Sequence, residues 1–279
     1  MQIDKNLNGK KIADIALNEL KQNINKLTNK LFLAVVQIGD NEASNMCIKL
    51  KLNKCKECGV ESELFKLSEN TTQDEILKVI NELNNNKKIT GIILQLPIHN
   101  KFNVLKIINA IDPKKDADGL NYVNMGYLFL GEPIIVPATA MAICNIIDYY
   151  KIDVSGKNVV IVGRSNLVAK PTAMILQQRN ATVTMVHTKT TCIDDYTQKA
   201  DILVVACGSS LFIKKNMIKE NAIIIDVGIN KHLGKTCGDV DYNDVYDKVS
   251  LITPVPGGIG PLTVMNMIKN VYNCYIQQN

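Results

Sequence analysis

The chain has 279 residues, of which 46% are hydrophobic and 21% are charged, and its formal net charge is +5. This length suffices for two domains with a substantial core, and the composition excludes an intrinsically disordered protein. Because the lysines are dispersed and form no block, the mild positive charge disfavours nucleic-acid binding and suits a small anionic ligand.

The first residues are too polar for a signal peptide, and no apolar run reaches membrane-spanning length. We therefore expect a cytoplasmic enzyme or binding protein with no membrane partner. Without an export signal, the eight scattered cysteines are expected to be reduced. The C-x-x-C pair Cys55 and Cys58 lacks a second pair or suitably spaced histidines for zinc, so we predict core packing and no metal site.

Apolar runs rich in Val, Ile and Leu alternate with segments of helical length along the chain. Such runs are typical of buried parallel strands in an α/β fold. They span residues 31–39, 91–98, 157–163, 181–187, 200–208 and 221–228. Between the first two, segment 71–86 places Thr72 and Glu75 at capping-box spacing before an apolar periodicity, which predicts a helix.

The lysine-rich stretch ASNMCIKLKLNKCKECG (43–59) has helical spacing. At about 100° per residue, Lys49 and Lys56 point away from Lys51. On the same helix, the residues within about 60° of Lys51 are Ser44, Cys47, Ile48, Cys55 and Cys58. Lys51 therefore lies in the middle of the inward-facing stripe. Two interpretations stay open: Lys51 extends past Cys47 to water, or its burial disfavours the ammonium form and makes it a proton acceptor.

A domain boundary is expected near 140–156, where a helical segment is followed by DVSGKN and a new strand. We predict an N-terminal α/β substrate domain, 1–143, completed by a C-terminal helix, 263–279. Residues 144–262 form a second, Rossmann-like domain, and a cleft is expected between the two.

Segment VVIVGRSNLVAKP (159–171) reads as a strand, a short turn and a helix start, which would aim backbone N–H groups at a phosphate. It lacks the G-x-G-x-x-G fingerprint, so an ordinary strand-to-helix turn stays an alternative. The next strand ends in VHTKT (186–190) without an acidic residue for a ribose hydroxyl, while Arg164 and Lys189 could meet a 2′-phosphate. This favours NADP over NAD. His187 is interpreted as a structural residue at the strand end.

Segment ITPVPGGIGPLT (252–263) contains two X-Pro units, which predict extended backbone, and glycines that allow the main chain to approach a flat ligand. A plain loop before the last helix is the alternative.

Six motifs of this chain resemble, in order and spacing, those of the bifunctional methylenetetrahydrofolate dehydrogenase/cyclohydrolase family. The resemblance runs nearly end to end. The motifs are GDN with A-S-x-x-C-x-x-x-K (39–51), GIILQLPI (91–98), DPKKDADG (112–119), VGRSNLVAKP (162–171), IDVGIN (225–230) and ITPVPGGIGPLT (252–263). The resemblance implies NADP-dependent oxidation of 5,10-methylene-tetrahydrofolate to the methenyl form, hydrolysis of that product to 10-formyl-tetrahydrofolate, and a homodimer.

The resemblance also implies site residues. Lys51 corresponds to the catalytic lysine, Gln95 to the glutamine that orients it, and Asp118 to the carboxylate that binds the pterin edge, although Asp118 could also be a plain turn residue. The expected substrate contacts are Cys47, Lys51, Gln95, Asp118, Pro256, Gly257, Gly258, Gly260 and Pro261. The expected NADP contacts are Gly163, Arg164, Ser165, Thr188 and Ile229.

The chain departs from the family pattern at three places. Cys47 replaces a tyrosine that is expected to stack on the folate and tune the lysine; Tyr122 or Tyr127 is a candidate to fill that space. Ala140 and Ala142 replace a proline and a glycine in VPATAMA (136–142), and Ala169 replaces a glycine in the nucleotide loop. Two rival functions therefore stay open: a dehydrogenase with impaired cyclohydrolase activity, and a catalytically silent folate- or nucleotide-binding protein.

Overall fold

A computed structural model describes residues 4–279, apart from the side chain of residue 43. The chain forms two compact units. The three-stranded unit comprises Ile15–Ala138 and Val264–Asn279, and the five-stranded unit comprises the residues up to Asp14 together with Thr139–Thr263.

Helices and strands alternate over much of the described chain, as expected for an α/β protein. The helices are α1 Gly9–Ile24, α2 Glu42–Glu57, α3 Gln73–Asn85, α4 Val104–Asn109, α5 Tyr122–Leu130, α6 Ala138–Tyr149, α7 Ala169–Gln178, α8 Asp194–Thr197, α9 Tyr242–Val245 and α10 Ile259–Gln278. The strands are β1 Phe32–Ile38, β2 Glu61–Leu67, β3 Gly91–Leu94, β4 Asn158–Val162, β5 Thr182–Val186, β6 Ile202–Val205, β7 Ile223–Asp226, β8 Asn230–His232, β9 Lys235–Cys237 and β10 Leu251–Ile252. Helices α4, α5 and α6 follow one another without a strand between them.

The three-stranded unit contains a parallel sheet in the order β2-β1-β3. Strands β1 and β3 confirm two of the predicted runs, because most of their residues are buried. Strand β2 is an addition to the prediction: exposed residues recur along it, so it has no continuous apolar run. Helix α3 confirms the predicted capping box, since Thr72 N donates to Glu75 Oε2 at 2.7 Å and Glu75 N to Thr72 Oγ1 at 3.3 Å.

The five-stranded unit contains a parallel sheet in the order β10-β7-β6-β4-β5. The four predicted runs of this region form β4, β5, β6 and β7, which confirms an α/β fold with parallel sheets. Counted from β4, the order is 2-1-3-4-5, a doubly wound arrangement in which the direction of winding reverses between β4 and β6. Ligands of such sheets bind at the carboxyl ends of the strands at that point.

Asn6 forms a bridge with Ile252, and strands β8 and β9 pair as an antiparallel hairpin. Cys55 and Cys58 are 0% and 3% exposed, which confirms that the C-x-x-C pair packs in the core. In the part of the chain that is described, each helix is too short or too polar to cross a membrane.

Candidate functional site

Lys51 and Gln95 form a hydrogen-bonded pair in the three-stranded unit. Helix α2 begins where the Asn41 side chain accepts from Ser44 N at 3.1 Å, and it places Lys51 at a half-buried position three turns later. Gln95 follows β3 directly and is 9% exposed. Lys51 Nζ donates to Gln95 Oε1 at 3.0 Å. The sequence-based pairing of this lysine with this glutamine is thus present as a direct contact.

The orientation of the Gln95 amide follows from its second partner. Gln95 Nε2 donates to the carbonyl oxygen of Leu96 at 2.6 Å. A carbonyl only accepts hydrogen bonds, so the amide nitrogen must face Leu96 and the amide oxygen must face Lys51. The glutamine therefore presents an acceptor to the lysine, and this acceptor fixes the direction of the amine.

Asp118 belongs to the same group of side chains. Burial raises the pKa of the Asp118 carboxyl above its ordinary value, and the positive charge of Lys51 acts in the opposite direction. The structure thus joins Lys51 to Gln95 by a hydrogen bond and places Asp118 within reach of the charge of Lys51. The roles of the three residues in a reaction stay predictions.

The loop that carries Asp118 is supported by Asp116, which the sequence analysis does not identify. Asp116 is 1% exposed and accepts from Gly119 N at 3.0 Å, Asn121 N at 2.7 Å and Asn124 Nδ2 at 2.9 Å. Burial raises the pKa of Asp116 to about 6 despite these donors. Because Asp116 precedes Asp118 and its three partners follow Asp118, Asp116 holds the turn in one shape.

Lys115 is a second supporting residue outside the predictions. Its side chain is buried, and Nζ donates to the carbonyl oxygens of Asn84 at 2.7 Å and Asn86 at 2.9 Å, with Leu83 O at 3.3 Å. These carbonyls lie at the C-terminal end of α3, where a positive charge is favourable. Burial lowers the pKa of Lys115. The adjacent KD pair in DPKKDADG therefore anchors the loop rather than facing a ligand.

Cys47 is exposed one turn before Lys51 on α2. Tyr122 and Tyr127, the candidates to replace the missing aromatic ring, lie on α5 and are 61% and 41% exposed. Whether either ring takes the place of the family tyrosine stays a prediction. Exposure of the thiol leaves room for a larger side chain at position 47.

The predicted nucleotide loop follows β4 in the five-stranded unit. Gly163 has φ +143°, and a Cβ there would lie 2.5 Å from the carbonyl oxygen of Ala206, so only glycine fits. Ser165 Oγ accepts from Val168 N at 3.1 Å and from Ala169 N at 3.4 Å. The loop therefore packs tightly on the end of β6, at the point where doubly wound sheets bind ligands.

Ala169, which replaces a family glycine, is fully buried in the first position of α7. Among the described residues, those other than glycine that have a positive φ do not include Ala169. Alanine therefore fits the backbone at this position without the strain that a glycine-only conformation would cause. Arg164, Thr188 and Lys189 are exposed. His187 Nδ1 accepts from Lys189 N at 3.2 Å, in agreement with its structural interpretation.

These residues fit an NADP molecule. Gly163 is a position without room for a side chain, Arg164 and Ser165 are exposed beside it, and strand β5 ends without a carboxylate that would repel a 2′-phosphate. Ile229, another predicted contact, is 69% exposed after β7. Among the described residues, no group of His, Cys, Asp and Glu side chains could hold a metal ion.

The glycine-rich segment after β10 differs from the prediction in its backbone. Residues 255–257 form a turn instead of an extended strand, and the Val255–Pro256 peptide bond is cis. Gly257 has φ +110° and its carbonyl oxygen accepts from Gly9 N at 3.0 Å. Gly258 has no room for a side chain, because a Cβ would lie 2.7 Å from Pro254 O.

Helix α10 begins at Ile259, earlier than predicted, so Gly260 and Pro261 lie in its first turn. Proline is tolerated there because the first N–H groups of a helix have no helical partner. Cys47, Lys51, Gln95 and Asp118 lie in the three-stranded unit, and the contacts predicted at positions 256–261 lie in the five-stranded unit. That both sets line one cleft stays a prediction.

Two family models match this chain. The one described as "Tetrahydrofolate dehydrogenase/cyclohydrolase, catalytic domain" matches residues 7–118, and the one described as "Tetrahydrofolate dehydrogenase/cyclohydrolase, NAD(P)-binding domain" matches residues 137–279. Together they span most of the sequence.

Similar proteins include the "Bifunctional protein FolD" of Thermodesulfovibrio yellowstonii, which is 43% identical over 277 residues, covering 98% of this chain and 97% of the relative. The crystal structure of the FolD methylenetetrahydrofolate dehydrogenase/cyclohydrolase from Campylobacter jejuni has a TM-score of 0.94 at 39% identity, covering 98% of this chain and 99% of that one. The Trypanosoma brucei FolD structure, in complex with NADP and an inhibitor, has a TM-score of 0.94 at 30% identity, covering 100% and 99%.

Proposed function

The chain belongs to the tetrahydrofolate dehydrogenase/cyclohydrolase family, and on this premise we propose that it is a bifunctional enzyme of one-carbon metabolism. It oxidises 5,10-methylene-tetrahydrofolate with NADP⁺ to 5,10-methenyl-tetrahydrofolate and hydrolyses that product to 10-formyl-tetrahydrofolate. The observation that carries the proposal is the 3.0 Å contact between Lys51 Nζ and Gln95 Oε1, with Asp118 in electrostatic contact with the same lysine.

The dehydrogenase step depends mainly on positioning. The nitrogen lone pair of the substrate assists departure of a hydride from the one-carbon unit, so no protein base is required. NADP⁺, when bound, supplies the acceptor for that hydride. Asp118 holds the pterin through its amino group and ring N–H, both of which donate to a carboxylate. Its loop is kept in shape by Asp116, so the substrate meets a fixed acceptor.

The cyclohydrolase step needs water to be delivered to the methenyl carbon and a proton to be removed. Water oxygen bonds to the cationic carbon, and its proton passes to the amine of Lys51 in the neutral form. A neutral amine still has an N–H to donate to Gln95 Oε1, which leaves the nitrogen lone pair directed elsewhere. The hydroxyl group on that carbon then becomes the formyl carbonyl as the carbon–N5 bond breaks: the hydroxyl proton is released to water, the proton held by Lys51 passes to N5, and the 10-formyl product forms with net release of one proton.

The proposed NADP contacts are Gly163, Arg164, Ser165, Thr188 and Ile229. Arg164 and Lys189 are exposed cations that match a 2′-phosphate, and this supports NADP over NAD. The proposed folate contacts from the glycine-rich segment are Pro256, Gly257, Gly258, Gly260 and Pro261.

The domain assignment, residues 1–143 with 263–279 for folate and 144–262 for NADP, is kept as part of the proposal. We also propose a cytoplasmic homodimer without a nucleic-acid or membrane partner. Its support is the family membership and the dispersed lysines.

The test is an absorbance assay of the purified chain with 5,10-methylene-tetrahydrofolate and NADP⁺. NADPH formation is followed at one wavelength, and the decay of added methenyl-tetrahydrofolate is followed separately against buffer. Formation of NADPH together with decay faster than buffer supports both activities. NADPH formation without accelerated decay would identify the dehydrogenase that has lost its second activity through Cys47.

A silent binding protein is distinguished by thermal unfolding in the presence of NADP⁺ and, separately, a folate analogue. Stabilisation by both ligands without turnover in the absorbance assay would contradict the proposed enzyme.

A further inference from the structure

We propose that Asp239 is a positioning residue for the proposed NADP site: its buried carboxylate ties the loop after β6 to the loop after β7. This inference rests on the proposed function and deepens it. Asp239 lies between β9 and α9, outside every motif that points to the family, and it is 0% exposed.

The contacts of the Asp239 carboxylate come from two separate loops. Oδ2 accepts from the backbone N–H groups of Cys207 at 2.7 Å and Gly208 at 2.9 Å, directly after β6. Oδ1 accepts from Asn230 Nδ2 at 2.8 Å, at the point where the loop after β7 enters β8. One side chain therefore satisfies donors from both loops, and a buried carboxylate needs such donors because burial removes its water.

The loop after β6 is the surface on which the nucleotide loop packs. Ala206 N donates to Val162 O at 2.9 Å, and the missing side chain of Gly163 leaves space for Ala206 O. Asp239 holds the next two residues. A shift of Cys207 and Gly208 would therefore move the wall against which Gly163 is placed, at the point where doubly wound sheets bind ligands.

The loop after β7 is held by the same network through Asp226. Asp226 Oδ1 accepts from Gly228 N at 2.9 Å and from Asp239 N at 3.0 Å. Ile229, a proposed cofactor contact, lies between Gly228 and Asn230, which are fixed by Asp226 and Asp239 respectively. Asp239 thus supports the proposed cofactor contacts at two places: the loop against which Gly163 packs and the loop that carries Ile229.

The two carboxylates leave no space for a side chain at two neighbouring glycine positions. A Cβ at Gly228 would lie 2.3 Å from Asp239 Cγ, and a Cβ at Gly238 would lie 1.8 Å from Asp226 Oδ2. Both glycines have ordinary φ values among the described residues, so closeness to the carboxylates, and not backbone conformation, demands glycine at these positions. The glycines of D-V-G (226–228) and G-D (238–239) are explained by the network.

The test uses an isosteric exchange. In Asp239→Asn, the amide oxygen can accept from Cys207 N and Gly208 N, but it lacks the charge that strengthens these bonds, and the new NH₂ group meets Asn230 Nδ2 unless the Asn230 amide rotates by 180°. In the double variant Asp239→Asn with Asn230→Asp, the carboxylate moves to position 230 and accepts from the new amide. The matched control is Asp241→Asn, two residues along, whose carboxylate pairs with Lys214.

Three quantities are measured for each variant: the Kd for NADPH by fluorescence titration, the KM for NADP⁺, and the rate of methenyl-tetrahydrofolate hydrolysis without nucleotide. We expect Asp239→Asn to raise Kd and KM about tenfold or more, with hydrolysis within about twofold of wild type. The double variant should recover most of the loss in Kd, and Asp241→Asn should leave it unchanged.

The proposal is overturned if Asp239→Asn leaves the Kd within about twofold of wild type, if hydrolysis falls as much as nucleotide binding, or if the double variant recovers nothing. Because NADPH binding is titrated without turnover, failure of the proposed function can be told apart from failure of the proposed role of Asp239. A wild-type chain that binds no NADPH and catalyses neither reaction would overturn the enzyme, whereas a wild-type chain that binds NADPH leaves only the role of Asp239 in question.

Discussion

The two units build their proposed sites from different materials. In the three-stranded unit the proposed site consists of side chains: Lys51 donates a hydrogen bond to Gln95, and its charge acts on the Asp118 carboxyl. In the five-stranded unit, the site is mostly backbone: Gly163 leaves room for a carbonyl, and the polar side chains that matter, such as Asp239, lie beneath the loops. In this proposal the reaction depends on side chains of the three-stranded unit, and NADP binding depends on the loop shape of the five-stranded unit. Substitutions in the first should therefore lower reaction rates, and substitutions in the second should weaken NADP binding.

The largest expected effect is on the side-chain site. Lys51→Met removes the proton acceptor, and we expect the hydrolysis of methenyl-tetrahydrofolate to fall by about 100-fold or more, with a smaller loss in NADPH formation. Stopped-flow absorbance measures both rates. Lys49→Met is the control because Lys49 is exposed elsewhere on the same helix. Equal losses in the two variants would contradict the assignment of the catalytic amine to Lys51.

The corresponding test of the backbone site is Gly163→Ala. The added methyl would meet Ala206 O at 2.5 Å with φ at +143°, so we expect the Kd for NADP⁺ to rise about tenfold or more while hydrolysis is less affected. Isothermal titration measures the Kd. Gly156→Ala is matched for positive φ but has open space around it, and it should cost about 1 kcal/mol of stability without changing the Kd. Equal Kd values of the two variants for NADP⁺ would contradict the dependence of the nucleotide site on the backbone at Gly163.

A third prediction concerns stability and pH. The pKa of Asp116 is raised by burial from 3.8 to about 6, so the folded state binds this proton more tightly than the unfolded state. Its contribution to the free energy of unfolding therefore falls as pH rises from about 4 to about 6 and is constant above. Asp116→Asn removes this titration, so the difference in stability between wild type and variant should shrink by about 1–3 kcal/mol over that range.

Urea unfolding at several pH values measures this difference. Asp74→Asn, at an exposed position in the first turn of α3, serves as the control. A wild-type-minus-variant difference that is the same at pH 4.5 and pH 7 would show that Asp116 does not titrate in this window.

The smallest expected effect is that of a substitution at Cys47, which tests whether the missing aromatic ring limits the reaction. The thiol is exposed, so Cys47→Tyr has space for an aromatic ring, and stacking on the folate should raise the hydrolysis rate or lower the folate KM by about two- to fivefold. Met46→Tyr, on the neighbouring exposed position of the same helix, should change neither. A decrease in Cys47→Tyr would mean that another group already fills that space.

The strands and most of the lysine face of α2 could be predicted because buried parallel strands are continuous apolar runs and helices repeat every 3.6 residues. Cys47 is the exception: the spacing places it in the inward-facing stripe, but the structure leaves it exposed. Strand β2 could not, because Glu61, Glu63 and Lys66 interrupt its apolar residues. Nor could the grouping of the first residues with the five-stranded unit, since it depends on the bridge between Asn6 and Ile252, which are far apart in sequence.

Within the candidate sites, the sequence indicates the residues that face outward but not those that support them. Asp239 looks like an ordinary loop residue, because its role depends on N–H donors from segments that only the fold brings near. The donors of Asp116 are close to it in sequence, but the sequence does not show that the turn directs them toward its carboxylate. Their signal in the sequence is indirect: Asp116 lies three residues before Gly119, and Asp239 directly follows Gly238.

The edges of the three-stranded sheet have a consequence for the behaviour of the chain in concentrated solution. The outer strand β2 carries charges, with Glu61 paired to Lys30 at 2.9 Å and Lys66 to Asp40 at 2.8 Å. On the other edge, Ile92 N donates to Lys115 O at 2.7 Å, so the loop 112–119 covers β3. An open strand edge invites pairing with another molecule, and both edges are blocked here in different ways. The loop that presents Asp118 therefore also protects the sheet from edge-to-edge aggregation.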